Sequence, residues 1–215
     1  MRGLAGLSLL FSVLASVPDA GAGPFTREGL TFSDELGGFR LMQVSGTGSL
    51  EDPFVVVEEI DGQGPAILLI TGLTADFGNR AGTQHLTGFA MVKVTVNAGR
   101  NPWREFRMEL RETELHASPY GDGLSFAQAA VGRPVASDVF RTVRAIDEPF
   151  DSLAFDDGMV EPGGSAEFRF LVTDESPVPR ILLVQEVAPP LAEHRRPAAS
   201  DRRPLILALR PGAAP

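Results

Sequence analysis

Apolar and polar residues alternate along most of the chain. In EFRMELRE, Phe106, Met108 and Leu110 point one way while Glu105, Arg107, Glu109 and Arg111 point the other. In AEFRFLVTD, Phe168, Phe170 and Val172 are set against Glu167, Arg169 and Thr173. In FAMVKVTVN, Ala90, Val92, Val94 and Val96 share one face, and Phe89, Met91, Lys93 and Thr95 the other. A period of two is that of an antiparallel strand with one dry and one wet face. The segments at 54–60 (FVVVEEI), 66–73 (AILLITGL) and 180–187 (RILLVQEV) are richer in Val, Ile and Leu and suit central strands. FRLMQV at 39–44 and VFRTVRAI at 139–146 add two more.

Turn chemistry separates these runs. NAGRNP at 97–102 is expected to close a hairpin, and Asp156-Asp157-Gly158 to form a tight turn. In Glu161-Pro162-Gly163-Gly164, Pro fixes φ at the second position and Gly supplies positive φ at the third, as a type II turn requires. About eight short strands with turns between them predict an all-β fold, an antiparallel β-sandwich of Ig-like or jelly-roll-like form. A closed barrel is the rival. SFAQAAVG at 125–132 has room for one or two helical turns, and the connections at 74–88 and 113–138 are long enough to carry function.

The two ends differ from this body. Met1-Arg2-Gly3, the apolar run from Leu4 to Val17, and the small residues to Gly23 have the layout of a secretory signal peptide over residues 1–22. No later stretch approaches the roughly 20 apolar residues of a membrane span. The domain is therefore expected over 23–188, with 189–215 a Pro-, Ala- and Arg-rich tail of extended or disordered character. A periplasmic or secreted location follows from the leader. The chain has no cysteine, so neither disulfides nor thiolate chemistry is available, and the fold must rest on its core.

The net charge is −9, and residues 23–188 hold 25 acidic against 13 basic side chains. That balance argues against a nucleic-acid partner. Basic residues are arginine throughout, save for the single lysine, Lys93.

Three segments resemble uncharacterised exported bacterial β-sandwich domains, of the kind found as ectodomains of exosortase-sorted (PEP-CTERM) proteins. They are NAGRNPWREFRMEL, SPYGDGLSF and DSLAFDDGMVEPGGSAEFRFLVTD, together spanning about residues 83–187. The resemblance implies the sandwich and is nearly silent on function. The chain departs from the sorted proteins near its end. Only five apolar residues, LILAL, precede RPGAAP, where those proteins carry an apolar helix and a basic tip. Anchoring by that route is not expected.

The candidate site residues follow from the same patterns. Trp103 and Tyr120 are the only Trp and Tyr. By parity, Trp103 falls with Glu105 and Arg107 on the wet face, where a glycan could stack on its ring while Arg107 binds hydroxyls. If Pro102 resets the strand, Trp103 instead plugs the end of the core. Tyr120 lies in a Pro-Tyr-Gly turn. Carboxylates gather at strand ends, and Asp147, Asp151, Asp156 and Asp157 are the best candidate ligands for calcium, which takes six to eight oxygens. No EF-hand run, nucleophile elbow or zinc spacing of histidines occurs. The expectation is a non-catalytic binding or structural module of the envelope, its partner a glycan or an envelope protein. An envelope hydrolase using loop-borne carboxylates, and a calcium-stabilised surface component, are the alternatives.

Overall fold

In a computed structural model, the described residues are 23–62, 64–119, 121–127, 135–146 and 150–188. The predicted signal peptide and tail lie outside them. The described chain is a β-sandwich with no α-helix; a single 3-10 turn covers Ala75–Phe77.

The strands in chain order are β1 (Phe25–Arg27), β2 (Leu30–Ser33), β3 (Phe39–Ser45), β4 (Phe54–Ile60), β5 (Ala66–Thr71), β6 (Thr87–Asn97) and β7 (Glu105–Arg111). They continue with β8 (Leu124–Ser125), β9 (Ala136–Ser137), β10 (Thr142–Ile146), β11 (Ser152–Asp156), β12 (Ser165–Asp174) and β13 (Arg180–Ala188). The larger sheet has seven strands in the order β1-β2-β5-β13-β7-β11-β10. The smaller runs β3-β4-β6-β12-β8, with β9 also on β12. The strands beyond the expected eight are mostly short ones of two to four residues, such as β1, β2, β8 and β9, too brief to carry a readable period.

Two pairings depart from expectation. The segment 97–102 does not close a hairpin. It carries the chain from β6 in the smaller sheet to β7 in the larger. Asn97 holds this crossing: its Oδ1 accepts the Gly99 N–H at 3.0 Å, and its Nδ2 donates to the carbonyls of Asn101 and Val160 at 2.9 and 3.0 Å. In addition, β4 and β6 are parallel in an otherwise antiparallel sandwich. The chain leaves β4, forms β5 in the opposite sheet, and returns as β6 in the same direction, as a crossover must. The type II turn forms as read, with Gly163 at φ 79° and the Gly164 N–H bonded to the Glu161 carbonyl at 2.8 Å.

The inner faces are aromatic. Phe32, Phe54 and Phe89 meet edge to face at centroid distances of 5.2 and 5.7 Å. Phe168 of β12 is a hub for Phe106 at 4.5 Å, Phe155 at 4.8 Å and Phe140 at 5.9 Å. Alternation suggests a wet face for β6 bearing Lys93 and Thr95. The structure turns that face inward, and Phe89, Met91, Lys93, Thr95 and Asn97 are all buried between the sheets. Phe89 and Met91 carry that face into the core, and a buried carboxylate there lets Lys93 follow. Glu58 of β4 is also fully buried; its Oε2 accepts from Lys93 Nζ at 2.5 Å and its Oε1 from Thr95 Oγ1 at 3.0 Å. Burial draws the Lys93 amine below its usual range, and the charge of Glu58 and its hydrogen bond push it back.

Phe168→Ala is expected to lower stability by about 3–5 kcal/mol in a denaturant titration, because it empties the aromatic hub. Leu115→Ala, at an exposed loop position, is expected to change it by less than about 0.5 kcal/mol.

Candidate functional site

The outer face of the larger sheet presents the most developed polar surface. On β7, burying Phe106, Met108 and Leu110 forces Arg107 and Glu109 outward. Registry then assembles two rows across four strands. One runs Glu186, Arg107, Ala154, Arg144; the other runs Val184, Glu109, Ser152, Ile146. Together they line an open depression of about 260 Å³. Ala154 is the small residue in the first row. With strands about 4.8 Å apart, Arg107 and Arg144 stand about 10 Å apart on either side of it, leaving a slot.

Both arginines are held from behind. Arg107 Nε donates to Glu105 at 2.5 Å, and Arg144 gives Nε and Nη2 to Asp156 at 3.2 and 2.7 Å. Each side chain remains 59% exposed, so the fixed guanidinium still faces solvent. The Arg107 guanidinium is pushed above its usual value, first by its hydrogen bond to Glu105, and further by the charges of Glu105, Glu186 and Asp156. Glu109 accepts from Arg111 Nε at 2.6 Å. The surface therefore sets two anchored guanidiniums beside Glu186 and Glu109, with Ala154, Val184 and Ile146 among them.

A second polar region lies where the two long connections meet the end of β12. Asp122 accepts a hydrogen bond from Ser118 Oγ and another from the Leu124 N–H at 3.0 Å. Asp174 is fully buried; its Oδ1 accepts the Ser176 N–H at 2.8 Å, while its Oδ2 has no hydrogen-bond partner among the described residues. Its carboxyl is raised, chiefly by burial, with Asp122 adding to the rise; the backbone N–H groups of Ser176 and Val178, and His85, oppose it. Glu112 is raised too, by burial first and then by Asp122 and Asp174.

The residues singled out from sequence are dispersed. Trp103 belongs to the core, only 2% exposed, with its ring 5.8 Å from Phe106 and its backbone bridged to Val160. The parity reading fails because β7 begins at Glu105: Pro102 and the crossing loop set the Trp103 side chain independently of the strand. The indole is thus no stacking platform. Arg107 does lie on the outer face. Tyr120 and Asp147 lie outside the described residues. Asp151 is buried at the start of β11, whereas Asp156 is at its far end, paired to Arg144 at 2.7 Å. Asp157, in the turn at φ 55°, sits 3.7 Å from Arg141. Asp151 is therefore separated from Asp156 and Asp157 by the length of the strand, roughly 16 Å, and these three do not form one calcium site. Among the described residues no group of three or more His, Asp or Glu is placed to hold a metal ion. Sequence reading missed Arg144, Glu109 and Glu186 as neighbours of Arg107. Alternation marks each as outward, but only registry brings them together.

Comparison with family models, with curated proteins and with solved structures finds no match. Among the described residues no helix is long and apolar enough to cross a membrane.

The single tryptophan makes the burial of Trp103 directly measurable. Its emission is expected to be blue-shifted and resistant to acrylamide in the native protein, moving to the wavelength of wet indole only on unfolding.

Asp174→Asn tests the buried carboxyl. A raised folded-state pKa means that the folded protein binds the proton more tightly than the unfolded chain. The stability linked to that proton is present below the unfolded value, near 3.8, and is lost as pH rises through the raised folded value. The melting temperature of the variant relative to wild type is therefore expected to rise between pH 3 and pH 7.

Proposed function

We propose that the chain is an exported, non-catalytic module of the bacterial envelope, periplasmic or secreted, that binds a hydroxyl-rich ligand such as a glycan on the outer face of its larger sheet. The observation that carries this reading is the row Arg107-Ala154-Arg144, two anchored guanidiniums flanking a slot, with Glu109 and Glu186 beside them. A sugar hydroxyl both donates and accepts, so it is matched by a surface that offers Arg donors and Glu acceptors side by side. Arginines already held by Glu105 and Asp156 lose less side-chain freedom on binding than unrestrained ones. The export part of the reading rests on the basic start, apolar run and small residues of 1–22.

A glycan array followed by titration calorimetry tests the reading. Arg107→Ala and Arg144→Ala are each expected to weaken a hit by on the order of tenfold, equivalent to about 1.4 kcal/mol, with unchanged melting. A hit indifferent to both substitutions, or a protein from the envelope captured in place of any glycan, would remove it.

The hydrolase reading has one observation in its favour, the raised carboxyls of Asp174 and Glu112 beside the long loops. Turnover of a glycoside or ester panel that disappears in Asp174→Asn would put that reading first.

A further inference from the structure

The chain uses arginine at every basic position but one, and that one is buried. Lys93 is the only lysine, and it is fully enclosed between the sheets. Its register neighbours in the smaller sheet are Val56 and Phe168, both fully buried. Surface ion pairing among the described residues is arginine's work. What lysine offers and arginine does not is an amine that loses its proton and becomes a nucleophile when desolvated.

The surroundings suit that role better than they suit a permanent ammonium. An ammonium carries three donors. Among the described residues, Lys93 Nζ has one hydrogen-bond partner, Glu58 Oε2 at 2.5 Å. The same oxygen accepts Nε2 of Gln185 at 3.3 Å, from β13 in the opposite sheet. Gln185 is itself 1% exposed, between Ala66 and Met108 in its sheet, and its Oε1 accepts no hydrogen bond among the described residues. An amine, a carboxyl and a carboxamide thus converge in a dry core, with the carboxyl between the other two.

We propose that Lys93 and Gln185 join in the folded protein through a side-chain amide, formed with Glu58 as the proton carrier. Glu58 takes one proton from Lys93, leaving a neutral amine and a carboxylic acid. The Nζ lone pair attacks Cδ of Gln185, and the carbonyl π pair moves to Oε1. Glu58 delivers its proton to Nε2 and accepts one from Nζ. As the carbonyl re-forms, the Cδ–Nε2 bond breaks and ammonia leaves. Amine plus primary amide become secondary amide plus ammonia, and Glu58 ends with the proton it held after the first transfer. No oxidant, metal or cofactor takes part. Folding supplies the proximity and removes the water that would otherwise solvate the amine. The depressed Lys93 pKa is consistent with that first transfer. The product ties β6 to β13, and hence one sheet to the other, in a chain with no cysteine. Nothing in this depends on the outer-face binding reading.

Peptide mapping of the folded full chain by tandem mass spectrometry reads the bond directly. A branched peptide is expected, joining the segment with Lys93 to that with Gln185 and lighter than the two together by one ammonia. Glu58→Ala is expected to return two linear peptides. If that variant does not fold, the wild-type map still decides: linear, unmodified peptides carrying Lys93 and Gln185 overturn the proposal. So does a link that persists in Lys93→Arg and vanishes in Thr95→Val, which would place an ester on the Thr95 hydroxyl. Loss of the link in Lys93→Arg, with Thr95→Val retaining it, supports the amide.

Discussion

An ionisable group placed between two β-sheets must find a partner there, because water is not available to solvate it. Lys93 and Glu58 meet that constraint across β6 and β4, the one parallel pair of named strands among the described residues. Their register is set by it. A one-residue slip of either strand would turn its charged residue to the outer face and strand the other unpaired in the core. Burying such a pair is weak evidence for stability, since good apolar packing often serves as well. The adjacent Thr95 and Gln185 extend the same polar cluster to the opposite sheet.

Around that cluster the fold is ordinary hydrophobic physics. The Phe168 hub and the Phe32-Phe54-Phe89 ladder fill the space between the sheets. Trp103 closes one end of the core, and Asn97 satisfies the backbone where the chain changes sheets. The outward residues of β7, β10, β11 and β13 are then left to build a polar surface. That surface is organised by register and does not depend on loop conformation. A rigid sheet face of this kind holds its side chains at fixed spacings, which suits recognition of an extended polar ligand.

The two polar regions differ in their physics. On the sheet face, exposed carboxylates hold exposed arginines in place, each pair of modest energy but fixed geometry. Near the end of β12, the buried Asp174 and the half-buried Glu112 lie among other acidic groups, and desolvation favours their protonated forms. The first arrangement suits binding; the second holds protons above the usual carboxylate range.

Strand existence was legible in the sequence, because alternation in EFRMELRE and AEFRFLVTD reports directly on one buried face. So were the all-β class and the Pro162-Gly163 turn, where local backbone chemistry decides the conformation. Arg107 as an outward residue followed from the same parity. Strand pairing did not follow: NAGRNP has hairpin chemistry, yet the chain changes sheets there, a choice made by contacts far away in sequence. Nor could alternation show that the face bearing Lys93 is the inner one, since its buried partner Glu58 lies on another strand. Trp103 turned inward for a similar reason, its side chain placed by the crossing and by Phe106 and Val160. Sequence by itself determined the longer strands and which of their residues alternate, while the two- to four-residue strands carry no readable period. Only the tertiary structure decided which strands are neighbours, because pairing energy comes from residues distant along the chain, and with it which charges meet in the core and on the sheet face.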